Sequence, residues 1–263
     1  MLLPIPHQTK QTLLTIVIQI YNNQHALNLQ NEYWEEWGSI PNLEVIFLDD
    51  GSNPPLDLAT TPNWVRKIRI IDDIHWNQPG AKNLAVKLSL SPWILFLDAD
   101  QFLGKEKILQ LTTQLSHLDI HSLYRFRRYC SKTNRQLVTH QNCQLIARDT
   151  YENFGGYDED FAGNYGHEDA YFERLWKFKG GKIIILDEPL LIDQSDLETK
   201  GLSRNGRVNE LLRRRKMRYW HLKQNVIGNF ILKSHFILDF LIKTKIIADG
   251  RPTKQIRFNW KEI

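Results

Sequence analysis

The sequence is poor in cysteine and has no long uninterrupted apolar run. Its two cysteines, Cys130 and Cys143, cannot build a disulfide framework and predict a reducing compartment. The most apolar late stretch, 226–247, is broken by lysine, histidine and aspartate, whereas a membrane span needs about 20 mostly uncharged residues. The chain does not open on a basic leader followed by an apolar run. We therefore expect a cytoplasmic protein that is soluble or lies on a membrane surface.

Charges of the two signs are unevenly divided along the chain. The 263 residues have a formal net charge of +4, yet residues 200–263 hold 16 basic and four acidic side chains. The preceding part is net acidic and is a candidate for cation chemistry, while the basic region is a candidate for an anionic membrane surface or an acidic glycan. Nucleic acid is not the expected partner, because no recognition-helix motif accompanies the basic run at 213–218.

Apolar periodicity predicts an α/β fold. Strands are predicted at 13–20, 43–48, 65–71, 93–97, 123–129, 136–147, 182–186 and 255–258, and helices at 26–37, 79–90, 105–116 and 169–179, with two more after residue 205. This order favours a mostly parallel sheet with helices on both faces. The change from net acidic to net basic composition at about residue 200 divides the chain into two parts. These are an α/β domain, 1–200, and a basic, mainly helical extension, 201–263, packed on it.

Two aspartates follow the predicted strand at 93–97. In a parallel sheet, ligands bind outside the carboxyl ends of the strands. Asp98 and Asp100 stand one residue apart at such an end, and they would repel each other unless a cation joined them. They are candidate ligands of Mg²⁺ or Mn²⁺, which would offset the charge of a substrate diphosphate. The alternative is a solvated aspartate pair that caps the following helix.

Two further motifs end a strand or open a helix. Asp50 ends the second predicted strand, where a carboxylate can accept hydrogen bonds from a base or ribose, although Asp-Gly also favours a plain turn. Lys82 lies at the start of a predicted helix and could reach a phosphate, and Asn83 could fix the loop after the fourth strand. The alternative is an ordinary amphipathic helix start with Lys82 in solvent. Trp76 and Asn77, just before this helix, are expected to line a pocket, and for Trp76 packing in the core is the alternative.

The densest cluster of acids and glycines lies at 155–169. It leads into a helix whose first turn carries Glu168 and Asp169. The positive end of the helix dipole favours an ionised carboxylate there, fixed on a rigid element and able to accept a proton. Helix capping is the alternative, since it also prefers acids, but it does not explain the preceding Gly155-Gly156 pair.

Taken in order, these motifs resemble glycosyltransferase family 2, whose members are nucleotide-sugar glycosyltransferases of the GT-A fold. The resemblance covers roughly residues 12–190 and is carried by Thr15 to Asn22, Asp49-Asp50-Gly51-Ser52, Gly80-Ala81-Lys82-Asn83, Leu95 to Asp100 and His167-Glu168-Asp169. The segment 155–172 is also similar to the Gly-Gly…Glu-Asp region of galactosyl- and N-acetylgalactosaminyl-transferases.

The resemblance implies a Mn²⁺- or Mg²⁺-dependent transferase that moves a sugar from a nucleoside-diphosphate donor, most often a UDP-linked hexose or N-acetylhexosamine, to an acceptor hydroxyl. It implies metal ligands at Asp98 and Asp100. The donor is expected to contact Tyr21, Asn22, Asp50, Lys82, Asn83 and Asp98. Our hypothesis is an inverting reaction in which Asp169 is the general base and Glu168 orients donor or acceptor hydroxyls.

The sequence departs from the family pattern at three places. Gln19 stands where the family usually has proline, and Lys82 stands where it has arginine, which keeps the charge but loses the bidentate phosphate geometry. Residues 190–204 contain no histidine to serve as a third metal ligand, so Asp193, Asp196 or water would replace it. Other histidines lack ligand spacing and are assigned to the surface or to strands: His7, His25, His117, His121 and His140.

Three alternative functions stay open. A retaining transferase of the same fold would share the region 155–169. A metal-dependent nucleotidyltransferase would need a glycine-rich basic loop after the first strand, and residues 21–24 do not form one. A non-catalytic glycan- or nucleic-acid-binding protein would act through its basic C-terminal region.

Overall fold

The computed structural model describes residues 12–130, 132–192, 203–253 and 256–263. The strands are β1 (Leu14–Ile20), β2 (Leu43–Asp50), β3 (Arg66–Ile70), β4 (Trp93–Asp98), β5 (Gln101–Phe102), β6 (Ser122–Cys130), β7 (Gln136–Leu137), β8 (Gln144–Ala147), β9 (Lys182–Ile192) and β10 (Trp260–Glu262). The helices are α1 (Gln24–Trp37), α2 (Gln78–Leu88), α3 (Lys105–Gln114), α4 (Arg148–Phe154), α5 (Glu168–Phe178), α6 (Arg207–Gln224), α7 (Val226–Lys233) and α8 (His235–Lys243).

The strands form a single sheet in the order β10-β3-β2-β1-β4-β8-β6-β9-β5, with β7 paired to β6. The four neighbouring strands β3, β2, β1 and β4 are parallel to one another, and β10 pairs antiparallel with β3. β8 runs antiparallel to both β4 and β6, and β9 then runs parallel to β6. The predicted α/β class with a largely parallel sheet is confirmed.

Helices cover both sides of this sheet. In β1, Ile16 and Ile18 belong to the core cluster on one side, which includes residues of α1 and α3, whereas Val17 belongs to the cluster on the other side, with residues of α2 and α5. Since successive side chains of a strand point to opposite faces, a strand covered on both sides needs apolar residues at every position. This explains why the central strands appear in the sequence as unbroken apolar runs.

The strand register brings polar residues together at the carboxyl ends of the central parallel strands. Gln19, near the end of β1, lies opposite Leu48 of β2 on one side and Asp98 of β4 on the other. Asp49 and Asp50 end β2 at the same edge. Because the carboxyl ends of parallel strands meet there, the aspartates that follow β2 and β4 come close together in space.

The segment predicted as one strand at 136–147 is two short strands, β7 and β8, separated by a loop. The loop includes the polar residues His140, Gln141 and Asn142, which line a cavity instead of pairing with a neighbouring strand. Sequence periodicity also missed α4, because its seven residues are too short for a helical repeat to be recognised.

The C-terminal region has three helices where two were predicted. The Asn225 side chain accepts from the backbone N–H groups of Ile227 and Gly228 and starts a new helix after α6. The predicted strand at 255–258 is instead at 260–262, where β10 pairs with β3, and residues 254–255 lie outside the described part, as does the predicted domain boundary at 200. Within the described ranges, no helix combines the length and the apolar character needed to cross a bilayer.

A buried lysine ties α6 to the segment 155–161. Lys216 is 0% exposed, and its Nζ lies 2.7 Å from Asp158 Oδ2 and 2.7 Å from Asp160 Oδ2 and donates to the Asp249 carbonyl at 2.9 Å. Burial raises the pKa of Asp158, and the neighbouring Lys216 ammonium opposes that rise. The ion pair therefore allows a carboxylate to remain charged under the helix.

Replacing this lysine should destabilise the fold. We expect Lys216→Met to lower the free energy of unfolding by about 3–5 kcal/mol, because it leaves the buried Asp158 carboxylate without its cation. Chemical denaturation followed by circular dichroism measures the change. Arg214→Met is the control: Arg214 pairs with Glu210 at 2.5 Å on the exposed side of the same helix, and its loss should cost about 0.5 kcal/mol or less. Similar losses in the two variants would contradict the structural role of Lys216.

Candidate active site

A cavity of about 590 Å³ opens where the carboxyl ends of β1, β2 and β4 face the start of α5. It is of the size of a small-molecule site. Seven of the residues predicted for the site line it: Tyr21, Asp50, Lys82, Asp98, Asp100, Glu168 and Asp169. The acidic residues that are far apart in the sequence thus face one space.

The two aspartates that end β2 have different surroundings. Asp49 is bound by the Arg69 guanidinium at 2.8 Å and by the Ser52 backbone N–H at 3.0 Å, so it holds the loop after the strand. Asp50 faces the cavity, where Asn77 donates to its Oδ1 at 3.0 Å and Gln19 donates to its Oδ2. Burial raises the pKa of Asp50 well above its usual range. Asp50 is therefore a buried polar group at the cavity wall.

Of the two site residues predicted just after β1, one lines the cavity and the other makes its hydrogen bonds within the loops. Tyr21 lines the cavity, and its hydroxyl donates to Asp73 at 2.7 Å. Asn22, which has a φ of 49°, is not among the lining residues: its N–H donates to Ser52 Oγ at 2.8 Å, and its side-chain oxygen accepts from the Asn53 N–H at 2.7 Å. Asn22 thus joins the loops after β1 and β2.

Lys82 and Asn83, adjacent in α2, point to different places. Lys82 is 4% exposed and lines the cavity, with its Nζ 3.3 Å from Asp169 Oδ1 and 4.6 Å from the centre of the Tyr157 ring. The alternative interpretation, which placed Lys82 in solvent, is therefore wrong. Asn83 is not among the lining residues, since it donates to the Tyr157 carbonyl at 2.9 Å and to Glu159 Oε1 at 2.7 Å. It fixes the segment 155–161 against α2, rather than the loop after the fourth strand.

Asp98, at the end of β4, is half-buried and held by Gln101. The Gln101 amide donates to Asp98 Oδ2 at 3.2 Å, and its oxygen accepts from the Asp98 N–H at 2.9 Å. Burial raises the pKa of Asp98, the nearby Lys82 and His140 oppose the rise, and Asp169 adds to it. Asp98 and Asp169 are therefore close enough to affect each other's charge.

His140 is a site residue that the sequence analysis assigned to the surface or a strand. Its Nδ1 lies 3.9 Å from Asp98 Oδ2, and one donor atom from each of Asp98, His140 and Cys143 lies within 4.8 Å of the others. The Cys143 thiol donates to Gln101 at 2.5 Å, and burial raises its pKa well above the usual range. The polar sequence at 140–142, which interrupts a predicted strand, was the available signal for this loop.

Glu168 and Asp169 form an adjacent acidic pair at the start of α5, each 9% exposed. The Tyr157 hydroxyl donates to Asp169 Oδ1 at 2.7 Å, and Asn142, with its NH₂ group facing the carboxylate, donates at 2.8 Å. The residues that hydrogen-bond to Asp169 thus lie outside α5. If Asp169 only capped its own helix, these contacts would not be needed. Burial, together with the charge of Asp169, raises the pKa of Glu168 to about 8. Glu168 therefore holds a proton more readily than an exposed glutamate does.

Two aromatic side chains form another wall of the cavity. Trp76 and Tyr165 both line it, and their rings meet edge to face with centroids 4.8 Å apart. Trp76 has a φ of 54°, a conformation that bulky residues rarely adopt and that is concentrated at functional sites. Of the two positions that the sequence left open for Trp76, pocket lining or core, the structure shows the first.

Solved glycosyltransferases share this fold. One is the mannosyltransferase PcManGT from Pyrobaculum calidifontis in complex with GDP-Man and Mn²⁺, with 15% identity and a TM-score of 0.50 over 82% of this chain. Another is S. aureus TarS 1–349 in complex with UDP-GlcNAc, with 11% identity and a TM-score of 0.59 over 81% of this chain; a second TarS structure, with 12% identity, gives 0.52 over 84%. The chain covers 64%, 67% and 46% of these three proteins respectively, so the similarity reaches only part of each.

Sequence comparison identifies the family. Comparison with curated protein sequences gives no match. The family model described as Glycosyl transferase family 2 matches residues 15–175, which include β1, β2, β4, the cavity-lining acids and most of α5. The chain therefore belongs to glycosyl transferase family 2 and has the GT-A fold of the glycosyltransferases that it resembles.

Proposed function

We propose that this glycosyltransferase is inverting and moves a hexose or N-acetylhexosamine from a UDP-linked donor to an acceptor hydroxyl. The observation that carries the proposal is that Asp98, Asp100 and Asp169 line the same cavity. Family membership supports an enzyme over the non-catalytic binding protein that the basic C-terminal region left open.

The donor would bind along the edge formed by β1, β2 and β4. Asp50 and Tyr21 supply polar groups for a nucleoside, and Lys82 supplies a cation for its diphosphate. The similar proteins carry UDP-GlcNAc or GDP-Man, which agrees with a nucleotide-sugar donor. We assign Asn22 and Asn83 to positioning the loops around the donor, because their hydrogen bonds are made within the protein.

The residues at the end of β4 fit a divalent cation. Asp98 offers a carboxylate oxygen and His140 a ring nitrogen within 4.8 Å of each other, whereas the sulfur of Cys143, the third member of that group, is a soft ligand that a hard ion disfavours. Asp100 lies outside that group but lines the same cavity, where it offers a further carboxylate. This donor set favours Mn²⁺ over Mg²⁺, because Mg²⁺ prefers an all-oxygen shell. A cation held there would offset the charge of the departing diphosphate. Asp193 and Asp196, predicted as substitutes for a third ligand, lie outside the described residues.

Asp169 is suited to take the acceptor proton. As the acceptor oxygen bonds to the anomeric carbon, its proton moves to Asp169 and the bond from that carbon to the diphosphate breaks on the opposite face. Tyr157 and Lys82 orient the Asp169 carboxylate. Glu168, whose raised pKa favours the protonated form, would donate a hydrogen bond to a sugar hydroxyl. The Trp76–Tyr165 wall offers an apolar surface to a sugar ring.

Removing the base should stop chemistry without preventing donor binding. Asp169→Asn keeps the size and most hydrogen bonds of the side chain, and we expect kcat to fall at least about 100-fold, within the range of general-base effects. Product formation measures kcat, and calorimetry with UDP and Mn²⁺ measures donor-site binding. Asp149→Asn, in the exposed first turn of α4, is the matched control and should retain activity. Unchanged turnover in Asp169→Asn would remove Asp169 from the role of base.

Removing either proposed metal ligand should weaken cation binding. We expect Asp100→Ala and His140→Ala each to lower Mn²⁺ affinity about tenfold or more, measured by calorimetry and by the electron paramagnetic resonance signal of free Mn²⁺. Cys143→Ser is the control and should bind Mn²⁺ as the original chain does. Unchanged affinity in Asp100→Ala would contradict the metal site, and a loss confined to Cys143→Ser would point to a softer ion.

The product stereochemistry separates the two possible reaction courses. A thermal-shift screen of nucleotide sugars with and without Mn²⁺ identifies the donor first. With an α-linked donor, the proposed mechanism gives a β-linked product, which the anomeric proton coupling in NMR reveals directly. An α-linked first product would show retention and would overturn the assignment of Asp169 as the base of a single displacement.

A further inference from the structure

The helices α7 and α8 have apolar residues on both sides. Their inner side chains, Leu232, Leu238 and Leu241, pack against a core cluster that also contains Trp220 of α6 and Ile247. A surface helix normally needs one apolar stripe, which faces the core. The inner side therefore accounts for the folding of these helices onto the protein, and the outer side requires another explanation.

The outer side is unusually exposed for residues of its kind. Phe230 is 77% exposed and Phe236 is 84% exposed. The whole set, which we call the outer face, comprises Val226, Ile227, Phe230, Phe236, Ile237, Phe240, Ile242 and Ile246. Single exposed apolar residues are ordinary on proteins, but eight of them gathered on two consecutive short helices and the turn that follows point to an interaction surface.

Lysines flank the residues of the outer face along the chain. Lys223, Lys233, Lys243 and Lys245 are exposed, and Asp239 is the one acid within 226–245. A second copy of the chain is a poor occupant, because a twofold contact would place these lysines near their own copies. An anionic lipid surface complements both features, since headgroups carry negative charge and the acyl boundary accepts phenylalanine.

We propose that the outer face of α7 and α8 docks on the surface of an anionic lipid bilayer. The phenylalanines enter the boundary between headgroups and acyl chains, and the lysines lie at the level of the headgroups. The two helices, of eight and nine residues, lie on the membrane and do not cross it. This interaction is separate from glycosyl transfer, so its test does not depend on the function of the cavity.

Vesicle sedimentation of the full chain tests the proposal. The chain should sediment with phosphatidylcholine vesicles that contain phosphatidylserine, and the binding should weaken as salt is added. The triple variant Phe230→Ser/Phe236→Ser/Phe240→Ser should lose at least about 100-fold in partitioning, because it removes three apolar anchors. Leu90→Ser, which changes a 66% exposed leucine between α2 and β4, is the matched control and should bind as the original chain does.

The charges are tested separately. Lys243→Gln/Lys245→Gln should lower partitioning about 25-fold on phosphatidylserine-containing vesicles, since each lysine near such a surface contributes about fivefold. Binding of UDP and Mn²⁺ and the circular dichroism spectrum should match those of the original chain, showing that the variants are folded. The proposal is overturned if the original chain and the phenylalanine variant sediment equally. It is also overturned if neither sediments and the phenylalanine variant abolishes a dimer seen by light scattering, which would assign the outer face to a second copy.

Discussion

The ammonium of Lys82 lies close to the carboxylates of two different elements, and the arrangement of the cavity depends on it. It is 3.3 Å from Asp169 at the start of α5, and it opposes the rise in the pKa of Asp98 at the end of β4. Without a cation between them, acids gathered in one half-buried space would repel each other or become protonated. A lysine in place of the family's arginine meets this need as a compact point charge.

Two buried contacts hold the segment that carries the rest of the site. Asn83 binds it from α2 through Tyr157 and Glu159, and Lys216 binds it from α6 through Asp158 and Asp160. Tyr157, positioned in this way, donates to Asp169. The basic C-terminal region therefore contributes to the geometry of the candidate base, although it lies outside the part of the chain that matches the family.

The same C-terminal region has two apolar sides with different surroundings. Its inner side completes a core with α5, and its outer side presents phenylalanines that exposed lysines flank along the chain. Both sides are apolar in composition, so the distinction between them arises only when α6 turns at Asn225 and places one side against the protein.

The α/β order, the family and the acids of the cavity were predictable from the amino-acid sequence, because buried parallel strands require unbroken apolar runs and the acids stand directly at their ends. The contacts of each polar side chain depended on the three-dimensional packing. His140 approaches Asp98 because a loop breaks a predicted strand, and Asn83 faces the protein while its neighbour Lys82 faces the cavity. Local patterns report periodicity and strand ends, but such contacts join residues distant in the chain, and they depend on how helices and loops pack across the sheet.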